Sequence, residues 1–94
     1  MATATFNGTV IARSDDTVIV EGNHYFPISA VVDGVLVESD RTSVCPWKGT
    51  AAYYDVVVDG RTAENAAWYY PQPKEQAAHI TNRIAFYPAV TVDA

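Results

Sequence analysis

The sequence predicts a mainly β fold, two packed antiparallel sheets with one short helix near residues 73–80. Three observations carry that expectation. Short runs of valine, tyrosine and threonine, which suit a pleated and half-buried surface, recur along the chain. Asn7-Gly8 and Asp59-Gly60 are the dipeptides of two-residue type I′ hairpin turns. Pro71-Gln72-Pro73 ends the last long apolar run, and Pro73 suits the first position of a helix over Lys74 to Ile80.

Taken in order, Thr3 to Phe6 and Thr9 to Arg13 flank the Asn7-Gly8 turn. Ser14-Asp15-Asp16 leads into a strand from Thr17 to Glu21. Gly22-Asn23 turns the chain again into His24-Tyr25-Phe26, which Pro27 stops. The first third is therefore expected as a meander of short antiparallel strands. Pro27 to Ala30 reads as irregular, Asp33-Gly34 as a loop before a strand at Val35 to Val37, and Ser39 to Thr42 as a polar connection. Thr50 to Val58 and Arg61 to Tyr70 form the central hairpin. Ala77, Ile80 and Ile84 give the short helix an apolar side, and Ile84 to Tyr87 and Ala89 to Val92 return to strand around Pro88. With no repeat, low-complexity tract or linker, residues 1–94 are expected to be a single domain.

The hairpin at Asp59-Gly60 organises the chain. The stretch Cys45 to Tyr70 holds the only cysteine and both tryptophans. Counting back from the turn, Val58 faces Arg61, Val56 faces Ala63, Tyr54 faces Asn65 and Ala52 faces Ala67, on a face that reads as core. The other face sets Val57 against Thr62, Asp55 against Glu64, Tyr53 against Ala66 and Ala51 against Trp68, with Tyr70 beyond. Opposed carboxylates repel unless a cation, a base such as Lys48 or a retained proton compensates. The preferred reading is a solvated face, and a register slip of one residue would dissolve the pair.

Composition removes several functions. A net charge of −5 with six scattered basic residues argues against non-specific nucleic-acid binding. No apolar run approaches the ~20 residues that cross a bilayer, and MATATFNGTV lacks the pattern of a signal peptide. A cytoplasmic location is expected. One cysteine and two distant histidines, His24 and His79, show no metal-ligand spacing. No Walker loop, G-x-S-x-G elbow or H-E-x-x-H motif is present. Arg41 and Arg83 read as solvated surface, and Tyr25 and Phe26 as core.

Three site hypotheses follow. Trp47, Tyr53, Trp68 and Tyr70, with Asp55, Glu64, Lys48 and Asn65 as polar groups, make a binding surface for a small planar ligand or, alternatively, the packing core of a second sheet. Asp55 and Glu64 are candidates for a metal-assisted site. Cys45, in the shaped loop Cys45-Pro46-Trp47-Lys48-Gly49, is a candidate nucleophile with Lys48 assisting, although a lone cysteine is more often a small buried hydrophobe.

EGNHYFP at 21–27, SVCPWKGTAAYYDVVVDG at 43–60, ENAAWYYPQP at 64–73 and IAFYP at 84–88 together resemble the small bacterial family known as domain of unknown function 427. The resemblance spans nearly the whole chain. It implies a β-tent, or Mss4-like, arrangement of two antiparallel sheets, as in methionine sulfoxide reductase B and the ligand-binding domain of cereblon. Many such relatives pin the sheets with a four-cysteine zinc site, which a chain with one cysteine lacks. The family's nucleotidyltransferase label would call on Asp55, Glu64 and Asp59, but Asp59 sits in the turn about 13 Å along the strand from Asp55. The reading ranked first is a non-enzymatic small-molecule-binding module, ahead of metal-dependent nucleotidyl transfer and thiol chemistry at Cys45. Ligand and cofactor identity stay open, as do monomer and homodimer.

Overall fold

In the computed structural model, which describes residues 1–94, three tight turns set the strand pairings. Asn7-Gly8 (φ 51° and 76°), Glu21-Gly22 (54° and 79°) and Asp59-Gly60 (49° and 80°) all hold both residues at positive φ. That is the type I′ geometry, whose twist matches the strands it joins. The first turn closes β1 (Ala2–Phe6) on β2 (Thr9–Ser14), and the second closes β3 (Val18–Val20) on β4 (Asn23–Pro27). The third joins β6 (Gly49–Val58) to β7 (Arg61–Tyr69). The second turn lies one residue earlier than Gly22-Asn23, because Val20 pairs with Asn23 and glycine takes the second turn position.

The two sheets are antiparallel throughout. With β5 (Leu36–Cys45), β8 (Arg83–Phe86) and β9 (Thr91–Asp93), the strand orders are β2-β1-β9 and β3-β4-β8-β7-β6-β5. The expected opening meander is therefore split. β1 and β2 belong to the small sheet, β3 and β4 to the large one, and the chain changes sheet between Ser14 and Val18.

The large sheet is buried on both faces. On one, Val56, Ala67, Ile84 and Phe86 pack with Ala2, Ala4 and Ile11 of the small sheet. On the other, Tyr25, Ala51, Tyr53, Trp68, Tyr70 and Ala85 pack with Val20, Ala77 and Ile80. Ala77 and Ile80 come from the expected helix, which is 3₁₀ in form and runs only over Glu75–Ile80, with a kink at Ala77 (φ −115°, ψ 22°). It starts after Pro73 because the Lys74 N–H still donates to the Lys48 carbonyl at 2.9 Å, holding the chain extended there. A three-residue spacing then turns both buried side chains inward. A second 3₁₀ turn, Ile28–Ala30, occupies the stretch expected to be irregular. No helix is long and apolar enough to cross a membrane.

Two bulges correct the expected registers. β5 extends through the supposed polar connection, and Ser39, Asp40 and Arg41 lie between the Glu38–Tyr54 and Thr42–Ala52 pairs, opposite Tyr53 alone. On the other side of β6, Glu64, Asn65 and Ala66 lie between the Val56–Ala63 and Tyr54–Ala67 pairs, opposite Asp55 alone. Tyr53 consequently faces Trp68 and Ala52 faces Tyr69, while Asp55 and Glu64 are not a cross-strand pair. Each bulge adds two residues, so the alternation of faces survives. Asn65 takes φ +53°, and its N–H donates to the Asp55 carboxylate at 2.8 Å. Asp55 thus caps the bulge instead of repelling Glu64. Replacing it, in Asp55→Ala, should cost about 1–2 kcal/mol, read as a lower urea midpoint at unchanged slope; an unchanged midpoint would remove that role.

Candidate functional site

The aromatic face is built outward from a buried pair. Tyr53 and Trp68 are direct neighbours across β6 and β7, and the small Ala85 opposite Trp68 on β8 leaves room for the indole. The Trp68 Nε1–H donates to the Tyr25 hydroxyl at 3.1 Å, and the two rings meet edge-to-face with centroids 6.2 Å apart. Such contacts satisfy the polar tips that burial would otherwise strand. Tyr87, just past β8, is pinned by its N–H to the Ala66 carbonyl at 2.8 Å. Its ring lies 4.7 Å from that of Trp68 and nearly parallel to that of Tyr53, at 6.4 Å and 11°. Tyr53 and Trp68 are buried, but Tyr87 is 41% exposed.

The β5 bulge supplies the polar part. It carries the exposed Arg41 to a point where its guanidinium lies 5.0 Å from the Tyr53 ring centroid, a favourable cation–π arrangement. Two residues on, the Ser43 hydroxyl is 2.8 Å from that of Tyr53. Burial opposes ionisation of Tyr53, yet hydrogen bonding by Ser43, Tyr87 and Arg41 and the Arg41 charge outweigh it and pull the phenol below its ordinary value. Tyr87 moves the other way, held in its protonated form first by the Tyr53 hydroxyl and then by burial.

A second cluster adjoins it. Cys45 pairs with Gly49 across the turn Pro46-Trp47-Lys48. Lys48 is only 7% exposed, and its ammonium pairs with the Glu21 carboxylate while standing 5.5 Å from the Trp47 ring centroid and 5.4 Å from that of Tyr70. Burial disfavours the charged lysine, but the Glu21 hydrogen bond and the Tyr25, Tyr70 and Glu21 charges reverse that and raise its pKa. The same bond, followed by the lysine's charge, lowers Glu21 below the ordinary carboxylate range. Gly49 has to be glycine here: at φ +115° a Cβ would meet the Gln72 carbonyl oxygen at 3.2 Å.

The family model described as domain of unknown function DUF427 matches residues 1–94. The chain belongs to that family. Its nucleotidyltransferase label is a name that assigns no residue. No curated protein matches this chain.

In this DUF427 chain, Trp47, Lys48, Tyr53, Trp68 and Tyr70 do converge, since all but Lys48 are members of or packed against one buried cluster that the lysine borders. Asn65 is not with them: its side-chain carbonyl accepts the Ser39 hydroxyl hydrogen bond on the bulge. Glu64 is exposed, and no three His, Cys, Asp or Glu side chains are grouped to hold a metal. Cys45 is half-buried at the edge of the aromatic cluster, and the Lys48 ammonium is directed to Glu21. Arg83 is not simple surface: its guanidinium pairs with Asp16 at 3.1 Å. Sequence reasoning missed Arg41, Ser43 and Tyr87 as neighbours of Tyr53. The visible signal for Tyr87 was an aromatic directly before Pro88, at the end of a strand run.

The Glu21–Lys48 pair predicts acid sensitivity of defined sign. Folding lowers the Glu21 pKa from 4.5, so its contribution is complete above that value and drains away as pH falls through the folded pKa. Urea midpoints measured across the acid range should fall less steeply in Glu21→Gln than in the natural chain. Parallel curves would mean that the pair contributes nothing.

Proposed function

We propose that this chain is a small-molecule-binding module whose ligand is a planar anion seated on the Tyr53–Trp68–Tyr87 layer. The observation that carries this reading is Tyr87, a ring packed on a buried aromatic floor yet 41% exposed. Beside that floor stands Arg41, which forms none of the chain's ion pairs. A planar ring would stack on the open face of Tyr87, and its anionic group would take hydrogen bonds from Arg41. Tyr53 and Trp68 form the wall beneath. Trp47, Lys48 and Tyr70 hold the far end of the layer in shape, and Asn65 acts at a distance by fixing the bulge.

This reading takes residues 1–94 as one domain and the setting as cytoplasmic, and, as the family resemblance implies, the sheets as a β-tent without a zinc site and the source as bacterial. The metal-dependent alternative draws no support from Asp55, whose carboxylate is bonded to the Asn65 backbone.

Thermal unfolding and tryptophan fluorescence with a panel of aromatic carboxylates and nucleotides test the proposal, each with EDTA or magnesium. A true ligand at 100 times its Kd should add ~2.7 kcal/mol, roughly 10–20 °C in a chain this small. Arg41→Ala and Tyr87→Ala should each weaken binding roughly tenfold or more, whereas Tyr87→Phe keeps the stacking surface. No shift with any planar anion, or binding indifferent to both alanine variants, would refute it.

A further inference from the structure

The β5–β6 hairpin carries a second feature. Thr42, Thr50 and Ala52 alternate away from the Tyr53 face, and with Pro71, Gln72 and Lys74 they line a groove of about 560 Å³. Its volume falls within the range of roughly 300–1,000 Å³ typical of small-molecule sites. No carboxylate lines it, although the chain has 11 acidic residues against six basic ones. Its polar side chains are two hydroxyls, one amide and one ammonium.

The ammonium is held in place. The Lys74 N–H donates to the Lys48 carbonyl at 2.9 Å, and its Nζ donates to the Pro46 carbonyl at 2.7 Å. Fixed at both ends, the side chain has already lost much of the rotamer freedom that a lysine gives up on binding. It forms no ion pair, and one bond to Pro46 leaves two of its three ammonium donors for a ligand. The other sizeable groove, about 580 Å³ between Ser29 and Arg83, differs on this point. There the guanidinium charge is already paired with the Asp16 carboxylate, and the same group donates to the Asp16 and Tyr25 carbonyls.

We infer that the groove between Thr42, Thr50 and the Pro71–Lys74 segment is a second ligand site, which takes the phosphate or carboxylate group of a small polar molecule. Lys74 supplies the charge, Thr42, Thr50 and Gln72 supply hydrogen bonds, and Ala52 and Pro71 form the apolar floor. Tyr53, Trp68 and Tyr87 do not line this site, and it does not need a planar ligand.

Amide chemical shifts of the full chain, followed by NMR during titration with inorganic phosphate and separately with citrate, provide the test, with sodium chloride at matched ionic strength as control. Saturable shifts at Thr50, Ala51, Gln72 and Lys74 are expected from phosphate, citrate or both, and the stronger of the two identifies the oxyanion. Lys74→Gln should weaken that binding roughly tenfold, Lys74→Arg should retain most of it, and Thr50→Val, at an exposed position, gives a second loss without touching the lysine. Arg41→Ala should leave these shifts unchanged. No saturable shift in the groove with either anion, or affinity unchanged from the natural chain in both Lys74→Gln and Thr50→Val, would overturn the site.

Discussion

The hydrogen bond from the Ser39 hydroxyl to the Asn65 side-chain carbonyl spans β6 and ties together the bulges on its two sides. Each bulge sets three residues against one, and each bends its strand while leaving the alternation of faces intact. The bond matters because the two distortions serve one end. The β5 bulge brings Arg41 over Tyr53, and the β7 bulge puts Tyr53 opposite Trp68 in place of Ala66. Three local bonds keep the irregular backbone in one state: the Arg41 N–H to the Ser39 hydroxyl at 3.2 Å, the Asn65 N–H to Asp55 at 2.8 Å, and the bridge between the bulges. Regular strands here would have paired the same side chains differently and left Arg41 without its aromatic partner.

A sheet covered on both faces asks two different things of its residues. Towards the small sheet the buried core is aliphatic with two phenylalanines, Phe26 and Phe86, in edge contact. The other face is tyrosine- and tryptophan-rich, and each polar tip needs a partner. Trp68 finds Tyr25, Tyr53 finds Ser43, and no buried side-chain polar atom is left without a hydrogen bond. Lys48 is the extreme case. Burying an ammonium is costly, but its partner Glu21 stays half in water, so only one member of the pair bears the full desolvation. The aromatic rings of Trp47 and Tyr70 offset part of that cost. The pair also joins the β3–β4 turn to the β5–β6 turn, which lie 27 residues apart in sequence.

What was legible in the sequence follows from how local each signal is. Asn7-Gly8 and Asp59-Gly60 were readable because only a few residue types tolerate two successive positive φ angles. Glu21-Gly22 was misplaced by one position because glutamate is an unusual occupant of the first. The faces of Tyr53, Trp68 and Tyr70 were legible because insertions of two preserve parity, whereas their exact partners were not, for the same reason. β5 was hidden: an edge strand leaves one side in water, so Glu38, Ser39, Asp40 and Arg41 look like a loop. Arg41 reached Tyr53 through a bulge that no hydrophobic pattern encodes. The convergence of Trp47, Lys48 and Tyr70 was expected, but the partner that organises them, Glu21, lies in a turn remote in sequence.

The distribution of charge gives the candidate sites their physical meaning. With a net charge of −5, the protein's overall field disfavours anions, so general electrostatic attraction cannot bring them to this surface. Any anion that binds must do so through short, directional contacts made at a particular place. Lys48 and Arg83 are excluded from that role by their ion pairs with Glu21 and Asp16. Arg41 and Lys74 are held against structured surfaces, one by an aromatic ring and the other by a carbonyl, and neither has a carboxylate partner. Both stand beside the β5–β6 hairpin, whose register the β5 bulge sets. The geometry of the hairpin therefore fixes where two of this acidic molecule's unpaired cations are held, one against the aromatic layer and one beside the groove.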